Sequence, residues 1–356
     1  MNIEPNPNLD QPKSVRDEDK LDVNVLANFV KNYVSGLIGE PIFKQFTGGA
    51  SNLTYQLSFD NHEFVVRCAP KGTKAKGAHD MQREYNIMAA LKPHYPDVPS
   101  MIAFCDDVSL IGRDFYVMEK LTGIIPRANL PKGLVLTVDE TRQICTNVLD
   151  KMIDLHRLDI QKTGLDAFGK GDGYATRQIE GWIGRYQKAK TWNVPNFKFI
   201  SSWLQNNMPE SSRNCFIHND FRFDNVVLDA NNPQQIIGVL DWEMATVGDP
   251  LMDLGNSLAY WVQADDDFVM KYLRRQPTNL PGMMTRKEVV AYYAEKNGLA
   301  IKDFRFYEVY GLFRLAVIVQ QIYYRYYHKQ SKNPAFRQLW FMVHYLNWRC
   351  KRIVKA

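Results

Sequence analysis

The sequence predicts an α+β chain in two unequal parts, a small antiparallel sheet carrying one helix and then a larger, mainly helical part. Three observations carry this expectation. Before residue 121 several short runs alternate apolar and polar residues, as half-buried strands require. Beyond Leu121-Thr122-Gly123 the period lengthens to that of amphipathic helices, broken only by short apolar runs between 215 and 240. The 356 residues, 45% hydrophobic and 23% charged, supply apolar mass for one large core or two adjoining ones.

The elements follow in order. Residues 1–24, rich in Pro, Asn and alternating charges, have little to bury and are expected to form a mobile tail. Residues 41–46 form a first strand, joined through Thr47-Gly48-Gly49-Ala50-Ser51-Asn52 to a hairpin. In that hairpin Leu53, Tyr55, Leu57 and Phe59 pair with Phe64, Val66 and Cys68 around the turn Asp60-Asn61. Met81, Tyr85, Met88 and Leu91 fall at helical spacing over 78–91. Residues 101–105 and 115–121 form a second hairpin, giving β-β-β-α-β-β. Helices are expected over 137–156, 175–191 and 197–207. Strands follow at 215–217, 226–228 and 236–240, the last two joined by Ala230-Asn231-Asn232-Pro233. A helix starts near Pro250, and another at Thr285, whose Glu288 completes a capping box, ending at Asn297-Gly298. Two long helices fill the remainder.

Composition excludes several function classes. The N-terminus has no apolar stretch of the secretory kind, and the most apolar later run, 312–324, is short and contains Arg314, Gln320 and Gln321. A soluble, cytoplasmic chain without a membrane partner is expected. The five cysteines, Cys68, Cys105, Cys145, Cys215 and Cys350, are dispersed and form no C-x-x-C pair, so neither a disulfide framework nor a thiolate zinc site is encoded. The net charge of +5 is uneven: after Glu308 nine Lys and Arg stand without one acid, leaving −4 on the rest. A basic tail of this kind suits an anion site, a nucleic-acid face or a solvated helix surface; nucleic-acid binding is not expected.

The informative stretch is His218-Asn219-Asp220-Phe221-Arg222-Phe223-Asp224-Asn225, followed by Asp241-Trp242-Glu243. It matches the H-x-D-x-x-x-x-N loop and later metal-binding Asp of kinase-like phosphotransferases. Asp220 on a loop can accept a hydroxyl proton. Asn225 opens a strand, and the hairpin returns the chain so that Asp241 ends the next strand beside it. An amide and a carboxylate oxygen suit Mg²⁺, which takes its other ligands from water and phosphate. A zinc site on His218 and Asp220 lacks a third ligand, so His218 reads as a loop brace. Asp249 and Asp253, around Gly248-Asp249-Pro250, read as helix-start carboxylates. Tyr323, Tyr324, Tyr326 and Tyr327 read as core and surface of a helix ahead of a cation cage. The Gly48-Gly49 loop is neither a Walker A nor a dinucleotide fingerprint, but its glycines let backbone N–H groups approach phosphate.

These blocks resemble the aminoglycoside phosphotransferase family in its broad sense, in the branch related to the phosphotransferase domain fused to acyl-CoA dehydrogenases. The resemblance rests on Gly48-Gly49-Ala50-Ser51-Asn52-Leu53-Thr54-Tyr55, Val65-Val66-Arg67, Arg83-Glu84-Tyr85, 115–119, 218–225 and 240–254 (LDWEMATVGDPLMDL). It implies a two-lobed protein-kinase-like fold, with a nucleotide-binding N-lobe at 25–121 and a C-lobe at 122–356 holding the catalytic loop, metal site and acceptor site. It implies ATP near Glu119 to Leu121, with Gly48, Gly49, Ser51 and Asn52 over its phosphates and Asp220 as base. Asn225 and Asp241 become the Mg²⁺ ligands. Arg67 takes the place where kinases keep a phosphate-binding Lys, paired with Glu84, and Arg222 the place of a Lys touching the transferred phosphate. Arg for Lys is a real departure, since a guanidinium is a planar fork and an ammonium a compact charge, but the fork also grips phosphate. The implied activity is transfer of the γ-phosphoryl group of ATP to a small-molecule hydroxyl, with hydroxy acids or hydroxyacyl thioesters favoured. The alternative is a catalytically silent nucleotide-binding interaction module, against which the intact Asp220, Asn225 and Asp241 speak.

Overall fold

The structure is a computed structural model and describes residues 10–46, 52–70, 80–209 and 213–356. In chain order its elements are α1 (Val23–Lys31), β1 (Ile42–Phe46), β2 (Leu53–Ser58), β3 (Glu63–Cys68), α2 (Met81–Leu91), β4 (Met101–Cys105), α3 (Val108–Ile111) and β5 (Phe115–Glu119). There follow α4 (Val138–Arg157), α5 (Tyr174–Ala189), α6 (Lys198–Asn206), β6 (Cys215–Ile217), β7 (Val226–Leu228), β8 (Ile236–Val239) and β9 (Thr246–Gly248). The chain closes with α7 (Pro250–Ala259), α8 (Phe268–Leu273), α9 (Arg286–Asn297), α10 (Arg305–Tyr327) and α11 (Leu339–Lys355). Two compact units result. The first takes Met1–Val148, Gln161–Leu165 and Phe223–Ala245; the second takes Leu149–Ile160, Asp166–Arg222 and Thr246–Ala356.

In the first unit five antiparallel strands lie in the order β1-β2-β3-β5-β4. Alternation builds one apolar face: Leu53, Tyr55 and Leu57 of β2 and Phe64, Val66 and Cys68 of β3 are buried together with Phe115 and Val117 of β5. That face is covered by α1 through Leu26, Ala27 and Val30, a second helix where one was expected. Asp22 caps α1, its carboxylate accepting from the Asn24 and Val25 amides.

Of the expected tail, residues 1–9 lie outside the described residues, and residues 10–24 are tied down. Lys13 and Gln45 exchange backbone hydrogen bonds of 2.8 Å, the Arg16 amide donates to Gln45 Oε1 at 3.0 Å, and Tyr55 Oη donates to Asp19 O at 2.8 Å. The physical reason is that Gln45 and Tyr55 are buried and their polar atoms need partners, which this polar segment supplies.

The β7–β8 hairpin belongs to the first unit as well, so the chain is not divided by a single cut after residue 121. Ile124 and Leu228 exchange two backbone bonds of 2.8 Å, and the Val239 amide donates to Asp97 O at 2.7 Å. Close approach enforces glycine at position 123, where a Cβ would stand 2.3 Å from Leu228 O, and Leu121 packs so closely on Gly238 that a Cβ there would stand 2.1 Å from its Cδ1.

In the second unit β6 pairs with β9, and α10 packs on α7, α5, α6 and α11 around Ile179, Phe197, Val309, Phe313 and Leu346. Asp249 caps α7 ahead of Pro250, and Thr285 and Glu288 form the capping box of α9, which Gly298 ends at φ +62°. All five cysteines are free and buried. Among the described residues no helix is long and apolar enough to cross a membrane.

Candidate active site

Each unit assembles its own part of the site. In the first, β3 delivers Arg67 into a set of carboxylates. Arg67 Nη1 meets Glu84 Oε1 of α2 at 3.0 Å, while Nη2 meets Asp241 Oδ1 at 2.6 Å and Glu243 Oε2 at 3.5 Å. Asn52 Nδ2 donates to the same Glu243 oxygen at 2.9 Å. Burial works against the Arg67 charge, but Glu84, Tyr116 and Asp241 outweigh it and hold its pKa well above the ordinary arginine value. Burial pushes the Glu84 carboxyl up, opposed by Arg67.

The hairpin sets the position of Asn225 and Asp241. Val226 lies opposite Val239, and the Leu240 amide donates to Asn225 O at 2.8 Å, so Asn225 and Asp241 come to the same end of β7–β8. Asp241 adopts the left-handed conformation, φ +68°, which Asp tolerates better than most residues. The next residue locks it: Trp242 is fully buried, its Nε1 donates to Val239 O at 2.8 Å, and its ring meets Tyr95 edge-on.

The oxygen donors of Asn225 and Asp241 fit a hard cation such as Mg²⁺. The Asp241 carboxylate keeps 32% of its surface open, and no group of three or more His, Cys, Asp or Glu able to hold a metal occurs among the described residues. A cation held here would therefore draw most of its ligands from water and phosphate.

In the second unit the loop after β6 is pinned from below. Asp253 of α7 is fully buried, and its carboxylate accepts from the His218 amide at 2.9 Å and the Asn219 amide at 2.8 Å, with His156 Nε2 at 3.1 Å. Asn219, at φ +65°, accepts from Tyr174 Oη at 2.9 Å through Oδ1, and Ser257 Oγ donates to Phe221 O at 2.7 Å. His218 is buried, and its Nδ1 accepts the Asp220 amide at 3.2 Å, which makes it the loop brace expected from the sequence. The Asp220 side chain, 22% exposed, meets Arg222 Nη2 at 3.2 Å, and the Arg222 guanidinium lies 4.7 Å above the Tyr260 ring.

The sequence-predicted residues are thus distributed as follows. Asn52, Arg67, Glu84, Asn225 and Asp241 come together in the first unit; Asp220 and Arg222 come together in the second. Glu119 ends β5, where its amide donates to Ser100 O at 2.9 Å, and Leu121 packs on Gly238. Gly48, Gly49 and Ser51 lie outside the described residues. Sequence reasoning missed Glu243 as a partner of Arg67 and Asn52. It also read Asp253 as a helix-start charge, whereas its carboxylate holds the loop backbone.

Comparison with known proteins bears on the family and the fold. The sequence profile of the phosphotransferase enzyme family matches residues 42–286. Acyl-CoA dehydrogenase family member 10 of Mus musculus is 33% identical over 316 residues, covering 87% of this chain and 29% of that protein. The chain spans well under half the length of the curated relatives it matches. Among solved structures, a Ralstonia eutropha protein assigned as an aminoglycoside phosphotransferase superposes with TM-score 0.79 at 28% identity, covering 94% of this chain and 99% of that one. A choline kinase of Cryptosporidium parvum shares the fold at TM-score 0.63 and 14% identity, covering 93% and 96%. The kinase-like fold expected from the sequence is the fold of the chain.

Proposed function

The chain belongs to the phosphotransferase enzyme family, and from that premise we propose that it moves the γ-phosphoryl group of Mg·ATP to a hydroxyl of a small molecule. The observation that carries the reading is the Asp220 loop: a partly exposed carboxylate on a backbone whose amides are held by buried Asp253. Asp220 orients the acceptor hydroxyl and takes its proton late, as the loose transition state of phosphoryl transfer requires. Arg222, paired with Asp220, supplies positive charge for the transferred group. Arg67 is the phosphate-binding cation of the first unit, with Glu84 fixing its fork. Asn225 and Asp241 are the residues that would hold Mg²⁺, whose charge offsets that of the phosphates. Glu119 to Leu121, with Gly48, Gly49, Ser51 and Asn52, complete the nucleotide site.

The named relative is an acyl-CoA dehydrogenase family member. We therefore favour a hydroxy acid or hydroxyacyl thioester as acceptor, in a reducing, cytoplasmic setting that suits five free cysteines. Thermal-shift measurements with Mg·ATP, Mg·GTP and EDTA controls test nucleotide binding, which raises the melting temperature by mass action. An ADP-release screen over hydroxylated metabolites tests turnover. Stabilisation by nucleotide with no ADP release on any acceptor would favour the silent interaction module, and no stabilisation by any nucleotide would sink both readings.

A further inference from the structure

Helices α7 and α10 touch backbone to backbone, since a Cβ on Gly311 would stand 2.1 Å from Gly255 O. Next to that contact their polar residues converge: Asn256 of α7 and Tyr260 just beyond it, with Tyr310 and Arg314 of α10. Trp182 of α5 joins them, its ring 5.4 Å from the Arg314 guanidinium. Arg314 is 5% exposed, yet among the described residues it makes no hydrogen bond and no ion pair. Around it Asn256 Oδ1, Tyr310 Oη and Trp182 Nε1 are buried and turn toward one another, with no hydrogen bond of good geometry among them.

Other buried or half-buried arginines have carboxylate partners. Arg67 has Glu84 and Asp241, Arg286 has Asp266 at 2.6 Å, and Arg349 has Asp266 at 3.3 Å. Of the basic tail, Arg325 and Arg337 are exposed, so Arg314 is the cation built into the interior. A buried cation that has to share its nearby carboxylate is costly, and its persistence calls for a partner that arrives from outside. Despite burial, Tyr310, Tyr260 and Asp220 keep Arg314 charged. Asp220 itself is already engaged by Arg222.

We propose that Arg314, with the indole N–H of Trp182 and the hydroxyl of Tyr310 beside it, forms a subsite for an oxyanion of the acceptor, a carboxylate or a phosphate, close to Asp220. The proposal rests on the phosphotransferase reading of Asp220 and adds to it the charge of the acceptor: molecules whose hydroxyl lies near an anionic group are taken, and cationic alcohols are refused.

Calorimetry on the full chain, without nucleotide, tests the subsite directly. The probes are 3-hydroxybutyrate against 1,3-butanediol, glycerol 3-phosphate against glycerol, and choline; the two anions separate carboxylate from phosphate. Wild type is expected to bind at least one anion about tenfold or more tighter than its neutral counterpart, and choline weakest. Arg314→Met is expected to erase that preference while melting, without ligand, at or above wild type, because an uncompensated buried charge has been removed. Should Arg314→Met not fold, Arg314→Lys decides, since an ammonium lacks the fork and is expected to weaken the preference at least about threefold. Equal binding of anion and neutral counterpart by wild type, or an unchanged preference in the variant that folds, overturns the subsite. Stabilisation by Mg·ATP is measured on the same samples, so its absence counts against phosphotransfer and leaves the anion measurement to judge the subsite.

Discussion

Asp220 and Asp241 are both acidic, partly exposed and paired with an arginine, yet their surroundings assign them different work. Asp220 sits on a loop held by buried carboxylate and amide groups, while Asp241 sits in a left-handed turn in contact with Arg67. Asp220→Asn should keep the stabilisation by Mg·ATP and lose about 10²–10⁴-fold in kcat. Asp241→Asn should lose the metal-dependent part of nucleotide binding while folding normally, because Arg67 keeps Glu84. Thermal shift and turnover on both variants decide; equal loss of nucleotide binding in the two would refute the assignment. Asp253 makes a third case. Its carboxylate accepts two loop amides in a fully buried site, so Asp253→Asn should cost about 3 kcal/mol in urea denaturation and lower kcat through Asp220. The motif residues were legible because they share eight consecutive positions, His218 to Asn225. The bond from His218 to Asp253 spans 35 residues, and no local pattern announces a bond of that separation.

Among elements, alternation and capping chemistry were legible wherever the signal was local. The strands β1 to β5 and the capping box of α9 stand where those signals put them, because a pleat and a cap depend on neighbours in sequence. Helix α1 was missed although Val23, Leu26, Ala27 and Val30 fall at helical spacing, because the polar stretch before it set the expectation of a tail. Strand β9, Thr246–Gly248, has one aliphatic residue, Val247, and so lacks the apolar run that marks the equally short β6 and β7. The Gly255–Gly311 contact between α7 and α10 is equally non-local. Gly311→Ala should cost about 1–3 kcal/mol, since the new methyl meets backbone that cannot step aside; a melting temperature within error of wild type would show that the helices yield. Ahead of α8, Asp266 binds Arg286 through both oxygens, at 2.6 and 2.8 Å. Burial alone would raise the Asp266 pKa, but Arg286, the Gln263 amide and Arg349 hold it below the ordinary carboxylate value. The unfolded chain therefore takes up a proton first as pH falls. The stabilisation is complete above the unfolded value of 3.8 and is lost as pH drops through the lowered folded value. Asp266→Asn should lose about 3 kcal/mol at pH 7 and flatten the stability profile below about pH 4. Urea midpoints across that range measure it, and parallel profiles for the two proteins would contradict it.

For the whole molecule, the sequence suggested a cut after residue 121, where strand periods give way to helical ones. The period reports local geometry, not which pieces share a core. Three segments of chain build the first unit, and the last of them, Phe223–Ala245, arrives after much of the second unit has been made. It carries the fully buried Trp242, the Leu228 partner of Ile124 and the Asp241 partner of Arg67. A fragment ending at residue 121 would keep Arg67 and Glu84 buried side by side but lose Asp241, Glu243 and the hairpin backbone on which Leu121 packs. Uncovered apolar surface and a thinner polar network both lower its stability. A protein fragment of residues 10–121 should therefore show no cooperative thermal transition by circular dichroism and should be cut rapidly by protease, whereas the full chain resists. Adding a peptide of residues 220–246 in excess should restore protection in part, by binding the folded form. A sharp unfolding transition of the fragment alone would mean that its five strands and α1 suffice, and that the hairpin serves only the chemistry.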